Sequence, residues 1–217
     1  VHISTISVSG EYLSDAIFKR IEFRESDYDI GQNWQDNTYV RGKFMAEHLV
    51  YKAVAEGLQA RIMRVGRLVG RRSDGMFQRE MQNNSFYSFV QGLMALDVLP
   101  KRVAGIPIEL TAVDECARAI VLLRSAPDPV YHVFNPFALE LRELAALLKH
   151  RTMPEVSAAE FEAHLASRLT SVQPERMATV LELWAMAKTQ PFNITPVARS
   201  TCARLAELGF EWSEPEV

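Results

Sequence analysis

Apolar positions over the first 65 residues change from strand-like to helix-like spacing and back. Residues 2–8 place Ile3, Ile6 and Val8 among hydroxyl side chains, and we interpret them as a buried strand that ends in hydroxyls. Between about 39 and 56, apolar positions recur every three or four residues, which predicts an amphipathic helix. Gly57 would end that helix, and the apolar segment 58–65 predicts a second strand. The chain therefore opens with a strand–helix–strand unit.

The same alternation continues to about residue 137, after which helical spacing dominates. Strands are predicted at Ile106–Thr111 and Val130–Phe134, with a helix between them at Glu115–Leu123 for which Asp114 is the predicted N-cap. Further helical segments are predicted at Tyr12–Lys19, 82–97, 139–149, 157–168, 174–188 and 197–208. This order predicts an α/β fold, the C-terminal half of a doubly wound, Rossmann-type parallel sheet followed by a mostly helical lobe.

Two regions follow from this pattern. Residues 1–137 would form the sheet domain, with part of 72–105 contributing to the lobe, and residues 138–217 would form the lobe itself. The pattern begins inside a strand, and no Gly-x-Gly-x-x-Gly turn occurs in the chain. We therefore expect that an N-terminal half of the same domain is missing, and that it would supply the strands beside the first one.

Composition narrows the class of protein. The chain has 217 residues, 48% of them hydrophobic, which is enough for one sizeable core. A net charge of −3 with scattered basic residues disfavours nucleic-acid binding. No apolar run reaches the roughly 18 residues that cross a bilayer. Two widely spaced cysteines favour a reducing, cytoplasmic location, and the histidines show no metal-ligand spacing, so no metal is expected.

The residues that carry chemistry stand on the first strand and the first long helix. Tyrosine is a weak acid with an ordinary pKa near about 10, so a phenol that moves protons near neutrality needs a nearby cation. Tyr39 and Lys43 are four residues apart and share a helix face, so Lys43 can supply that cation. The Thr5 hydroxyl would bind the oxygen of a carbonyl substrate and hold it against Tyr39.

These motifs resemble a known family. Ser4-Thr5 with Val8, followed by Tyr39, Lys43, Ala46 and Glu47, resembles the extended short-chain dehydrogenase/reductase superfamily. Further segments resemble the terminal thioester reductase domains of nonribosomal peptide synthetases and the related carboxylic acid reductases. Those segments are residues 29–32, 64–71, 74–78, 83–84, 111–117, 119–120 and 205–212. The resemblance covers essentially the whole chain.

The resemblance implies a set of roles. It assigns catalysis to Thr5, Tyr39 and Lys43. It assigns cofactor binding to Tyr39, Lys43, Gly66, Arg67 and Leu68, and substrate binding to Ser7, Phe77 and Gln78. The implied reaction uses NADPH to release an acyl or peptidyl chain as an aldehyde, and in some members the alcohol. The implied partner is a carrier (thiolation) domain that bears the thioester on phosphopantetheine.

Two departures and two alternatives accompany the resemblance. Arg67 stands where the family usually has asparagine, and Gly42 where serine is frequent. One alternative is a nucleotide-sugar epimerase or dehydratase of the same superfamily. The other is a non-catalytic fragment that serves as a carrier-docking module, since the chain has no glycine-rich turn for the pyrophosphate of a dinucleotide.

Overall fold

A computed structural model describes residues 1–10, 21–81, 84–168 and 194–214. The predicted helices at Tyr12–Lys19 and 174–188 lie outside these residues. The described part divides into two compact units. The first contains residues 1–10, 21–75, 109–137 and 194–214, and the second contains residues 76–81, 84–108 and 138–168.

Short strands and helices alternate along the described chain. The strands are β1 (His2–Thr5), β2 (Ile21–Phe23), β3 (Ile62–Val65), β4 (Leu68–Val69), β5 (Leu99–Pro100), β6 (Pro107–Glu109), β7 (Thr111–Ala112), β8 (Val130–Val133), β9 (Ala138–Glu140), β10 (Glu155–Val156) and β11 (Ile194–Pro196). The helices are α1 (Thr38–Ala55), α2 (Ser85–Ala95), α3 (Lys101–Ala104), α4 (Val113–Leu123), α5 (Leu141–Lys149), α6 (Ala158–Arg168) and α7 (Arg199–Glu207).

The centre of the first unit is a parallel sheet with strand order β1-β3-β8. Ser4 lies opposite Arg64, and Arg64 lies opposite His132, so three polar residues form one row across the sheet. Two smaller parallel pairs, β2 with β11 and β4 with β7, belong to the same unit. The carboxyl ends of the three central strands point the same way, which is where ligands bind in sheets of this type.

Helix α1 begins and ends where its sequence predicts. The side chain of Asn37 accepts hydrogen bonds from the backbone N–H groups of Tyr39 and Val40, which satisfies two donors of the first turn. Gly57 follows the helix with a φ of 105°, a conformation that glycine adopts without steric cost. Helix α1 packs beside β1 and buries the side chains of Val40 and Phe44.

The end of the chain returns to the first unit. Strand β11 pairs with β2, and α7 packs against α4 and β8. The apolar cluster that results includes Met63, Val65, Cys116, Ala119, Leu123, Tyr131, Val133, Leu205, Phe210 and Trp212. Residues 194–214 were expected in the lobe, but burial of these apolar side chains against the sheet places them with the first unit.

The second unit is built around α2, α3, α5 and α6. Strand β5 pairs with β10 and β6 with β9. The ammonium of Lys149 donates to the carbonyl oxygen of Met94 at 2.9 Å, near the end of α2, and lies 3.4 Å from Asp97. The buried apolar residues of this unit include Leu93, Leu96, Leu99, Val103, Leu141, Leu144, Phe161 and Leu165.

The predicted α/β fold class is confirmed, but local boundaries differ. The first strand stops at Thr5 because residues Ile6–Ser9 form a 3-10 turn. The predicted N-cap role of Asp114 is wrong, since α4 begins at Val113 after Ala112. The Asp114 carboxylate instead accepts from the backbone N–H groups of Arg72 and Ser73, which hold its pKa at about 2.

Candidate active site

Thr5 lies at the carboxyl end of β1, where the strand turns into the 3-10 segment. Its Oγ1 accepts from the backbone N–H of Ser7 and donates to Ser7 Oγ, both at 3.2 Å. Thr5 is buried, whereas Ser7 is exposed. The structure therefore joins two of the predicted site hydroxyls, Thr5 and Ser7, in one short hydrogen-bonded turn.

Tyr39 and Lys43 lie on the first two turns of α1. The Tyr39 side chain is 57% exposed, which leaves its phenol accessible. Lys43 is half-buried, one helical turn further on, on the same side of α1. Asn37 fixes the start of the helix and thereby the direction in which both side chains leave it.

The ammonium of Lys43 reaches β1. Its Nζ donates to the carbonyl oxygen of Ile3 at 2.9 Å. The backbone N–H of His2 donates to Arg61 just before β3, so His2 faces β3 and the next residue, Ile3, directs its backbone groups to the opposite edge. Among the residues described, β1 has no second strand on that edge. Lys43 therefore binds the open edge of β1, two residues before Thr5.

The loop after β3 carries the predicted cofactor-binding residues Gly66, Arg67 and Leu68. The backbone N–H of Arg67 donates to Glu109 Oε2 at 2.7 Å, and its carbonyl oxygen accepts from the backbone N–H of Thr111 at 2.9 Å. The Arg67 and Leu68 side chains are exposed, whereas Gly66 is half-buried. Glu109 and Thr111 therefore hold the backbone of this loop at Arg67, and the side chains of Arg67 and Leu68 face outward.

Phe77 and Gln78, the other predicted substrate residues, belong to the second unit. Gln78 Nε2 donates to the Glu80 carbonyl oxygen at 3.0 Å, and its Oε1 accepts from Asn84 Nδ2 at 3.2 Å. Phe77 is half-buried. These contacts explain how the segment before α2 is held, and the substrate role of both residues stays a prediction.

Sequence reasoning missed a buried polar network beneath α1. Arg64 Nη2 lies 2.8 Å from Glu47 Oε2, and Arg64 Nη1 donates to the Asp27 carbonyl oxygen at 2.7 Å. Arg64 Nη1 also lies 3.2 Å from His132 Nε2. Glu47, Arg64 and His132 are each fully buried. The signal was present, since Arg64 and His132 interrupt apolar strand segments in which a charged or polar residue needs a partner.

The proton on His132 can be assigned from its neighbours. Nδ1 lies 2.6 Å from the carbonyl oxygen of Val197, which only accepts, so Nδ1 carries the proton and Nε2 accepts from Arg64. Burial, and then the positive charge of Arg64, lowers the pKa of His132 to about 3. His132 is therefore a neutral link between Arg64 and the segment before α7.

Comparison with known proteins places the chain in a family. The family model described as Male sterility protein, an NAD-binding domain, matches residues 1–120. The chain belongs to the male sterility protein family. This family match covers β1, α1, β3 and the loop after β3, and therefore all of Thr5, Tyr39, Lys43 and Gly66.

Several solved structures similar to this family member are reductase domains. The reductase domain of the aureusimine biosynthetic cluster is 28% identical with a TM-score of 0.84, over 99% of this chain and 56% of that one. A thiolation-reductase di-domain from an archaeal non-ribosomal peptide synthetase is 27% identical with a TM-score of 0.81, over 98% of this chain and 45% of that one. The chain thus spans about half the length of these structures.

A curated relative is a subunit of a synthase that makes the peptide linear gramicidin. The chain is 24% identical over 149 residues to a linear gramicidin synthase polypeptide of Brevibacillus parabrevis, a match that covers 67% of this chain and 3% of that protein. The resemblance to terminal reductase domains of peptide synthetases is therefore confirmed. Membership of the male sterility protein family supports an oxidoreductase that uses a nicotinamide cofactor.

The residues present fit the nicotinamide end of such a cofactor. Tyr39 and Lys43 offer an accessible phenol and an ammonium, which suit ribose hydroxyls, and Thr5 offers a hydroxyl at a strand end. At Gly66 an added Cβ would overlap the Glu109 carboxylate, so this backbone tolerates no side chain. A glycine-rich turn for the pyrophosphate is not part of this sequence.

The part of the chain that the structure describes contains neither a cluster of potential metal ligands nor a helix that could span a membrane. No group of three or more His, Cys, Asp or Glu residues in it is arranged to hold a metal ion. No helix in it is both long and apolar enough to cross a membrane.

Proposed function

We propose that this chain is the catalytic part of a thioester reductase, which uses NADPH to release a carrier-bound acyl or peptidyl chain as an aldehyde. One observation carries the proposal: Lys43, one turn beyond the accessible Tyr39, reaches β1 two residues before Thr5. A phenol and an ammonium one turn apart on a helix, and a hydroxyl at the end of the strand that the ammonium reaches, are groups that suit reduction of a carbonyl. Family membership and the reductase relatives support the same activity.

The chain's own residues would act on the thioester carbonyl. When bound, the nicotinamide would supply the hydride. The hydroxyls of Thr5 and Tyr39 would donate hydrogen bonds to the carbonyl oxygen and stabilise the negative charge that develops there. The positive charge of Lys43 would assist proton donation by the Tyr39 phenol, and its ammonium would bind ribose hydroxyls. The Tyr39 phenol would give its proton to the former carbonyl oxygen, which forms a tetrahedral hemithioacetal. Loss of the thiol, with the hydroxyl proton passing to the sulfur, would leave the aldehyde.

The partner we propose is a phosphopantetheinyl carrier domain. One solved relative is a thiolation-reductase di-domain, and the curated relative is part of a gramicidin synthase. In the first of these relatives, the reductase domain is joined to a thiolation domain, which is a carrier. The substrate of this chain would then be a thioester presented on the pantetheine arm, with the Ser7 hydroxyl as one contact.

The experiment compares Tyr39→Phe with the unsubstituted chain. NADPH binding is followed by the fluorescence of the reduced nicotinamide, and aldehyde formation from an acyl-pantetheine thioester is measured by chemical trapping. We expect Tyr39→Phe to bind NADPH normally and to lose turnover by roughly 10²–10⁴-fold, the usual contribution of a general acid. Tyr131→Phe, which removes a phenol that hydrogen-bonds to Asp128 in the turn before β8, is the control for loss of a tyrosine hydroxyl.

The outcomes separate the proposal from its alternatives. Unchanged aldehyde formation by Tyr39→Phe would reject the catalytic assignment. Failure of the unsubstituted chain to bind NADPH would favour a carrier-docking module. Turnover of nucleotide sugars in place of the thioester would favour an epimerase or dehydratase. A parallel titration with NADH decides which reduced nicotinamide is preferred.

A further inference from the structure

Glu109 ends β6 beneath the loop that follows β3. Its Oε2 accepts from the backbone N–H of Arg67 at 2.7 Å, and its Oε1 accepts from the Thr111 hydroxyl. A carboxylate that accepts a backbone N–H holds the main chain at that point more firmly than water does, since charged acceptors form the stronger hydrogen bonds. Arg67 is 42 residues away in the sequence, so the contact is purely tertiary.

The fit between Glu109 and the loop is tight at the preceding residue. An added Cβ on Gly66 would overlap Glu109 Oε1 on one side and Phe134 Cβ on the other. The φ of Gly66 does not lie in the left-handed region, so glycine is required here for space and not for backbone conformation. The position of the Gly66 backbone is therefore set by the Glu109 carboxylate and by the end of β8.

Thr111 connects the carboxylate to the neighbouring strand end. Its hydroxyl donates to Glu109 and accepts from the backbone N–H of Asn135 at 2.9 Å, just after β8. Its own backbone N–H donates to the Arg67 carbonyl oxygen at 2.9 Å. Glu109 and Thr111 thus tie together the loops that follow β3 and β8, at the carboxyl end of the sheet where ligands bind.

Burial of the Glu109 carboxylate has a free-energy cost, because a charged group loses its hydration there. Burial raises the pKa of Glu109, while the hydrogen bonds from Arg67 and Thr111 and the charge of Arg67 oppose that rise. The pKa of the nearby Cys116 thiol is raised to about 12, first by burial and then by the negative charge of Glu109. A residue kept here only for packing would need no hydrogen-bond acceptor at this position.

We propose that Glu109 is a positioning residue for the cofactor: through the Arg67 N–H it sets where the Gly66–Arg67 backbone meets the nicotinamide. This inference rests on the proposed function, because the resemblance behind that function assigns cofactor binding to Gly66 and Arg67. Toward the cofactor, Glu109 acts through the backbone of these two residues. Its removal should therefore weaken cofactor binding without changing the chemistry that Tyr39 performs.

The test uses three variants of the full chain. Glu109→Ala removes the acceptor. Glu109→Gln keeps the shape, since its amide oxygen accepts from Arg67 while its NH₂ group donates to Thr111 Oγ1. Glu56→Ala removes an exposed glutamate just after α1 and is the matched control. For each variant, amide hydrogen exchange at Arg67, the NADPH dissociation constant and the thermal midpoint are measured.

We expect Glu109→Ala to speed exchange at Arg67 and to weaken NADPH binding, each by about tenfold or more. Glu109→Gln should stay within about threefold of the unsubstituted chain on both measures. A purely structural role would lower the thermal midpoint of both Glu109 variants without separating them in NADPH affinity.

Three results would contradict the proposed role of Glu109. Unchanged exchange at Arg67 in Glu109→Ala would overturn the inference, because the carboxylate would not hold the loop. Faster exchange with unchanged NADPH affinity would overturn it as well, because the loop would not serve the cofactor. If the unsubstituted chain does not bind NADPH, that result contradicts both the proposed function and the cofactor role of Glu109.

Discussion

Arg64 and Glu47 form an ion pair in which both side chains are fully buried, with Arg64 Nη2 2.8 Å from Glu47 Oε2. Glu47 lies on α1, one turn after Lys43, and Arg64 lies on β3, so the pair joins the helix to the sheet. Tyr51 adds a hydroxyl within 3.4 Å of Arg64. The helix that carries Tyr39 and Lys43 is therefore held against the sheet by charge as well as by apolar packing.

Breaking this pair should be strongly destabilising. Arg64→Met leaves the Glu47 carboxylate buried without its partner, and we expect a loss of about 3–5 kcal/mol in the free energy of unfolding. Urea denaturation measures it. The double variant Arg64→Met, Glu47→Leu removes both charges and should recover most of the loss. A cost below about 1 kcal/mol for the single variant would show that water reaches the pair.

Two glycines should respond to alanine in opposite directions. Gly66→Ala forces a methyl group against Glu109 and Phe134, and we expect it to lower the free energy of unfolding by about 1–3 kcal/mol. Gly42→Ala adds a methyl group on α1 with nothing within 4 Å, and we expect a gain of about 0.5–1 kcal/mol from helix propensity. Equal effects in denaturation experiments would contradict the crowding around Gly66.

His132 should make the fold sensitive to mild acid. Its pKa is about 3 in the folded chain, against an ordinary value of 6.5, so between these values the unfolded chain binds the extra proton. The free energy of unfolding must then fall as pH falls, and from pH 7 to 5 we expect His132 to account for about 2 kcal/mol. The change in urea midpoint between these pH values measures the effect.

His132→Gln is the control for that titration. Glutamine can donate to Val197 and accept from Arg64, as the neutral imidazole does, but it does not titrate. The other histidines remain in both proteins, so the difference between the two pH profiles isolates residue 132. If both proteins lose the same stability between pH 7 and 5, His132 is protonated in the folded chain.

Local patterns were enough to predict α1 and the residues on it. Asn37 before the first turn and Gly57 after the last are cap residues whose effects act within a few positions. The spacing of Tyr39 and Lys43 then follows from helix geometry alone. The parallel order of β1, β3 and β8 was also predictable, because strands joined by helices pair in parallel.

Tertiary partners decided what the sequence left open. Asp114 looked like an N-cap, but the N–H groups of Arg72 and Ser73, distant in sequence, bind its carboxylate instead. The role of Glu109 depends on Arg67 in the same way. Contacts over such separations leave no local periodicity, so the partners within the polar network and the loop support became visible only in the folded chain.

Lys43 offers the sharpest separation of stability from function. Its bond to the Ile3 carbonyl oxygen lies at an exposed edge, so Lys43→Met should cost no more than about 1.5 kcal/mol of folding free energy. Its proposed roles toward ribose and the Tyr39 phenol predict a larger functional loss, with NADPH affinity falling by about tenfold or more. Lys52→Met, which removes an exposed lysine from the last turn of the same helix, should leave NADPH affinity unchanged. If both variants bind NADPH equally well, Lys43 serves only to cover the edge of β1.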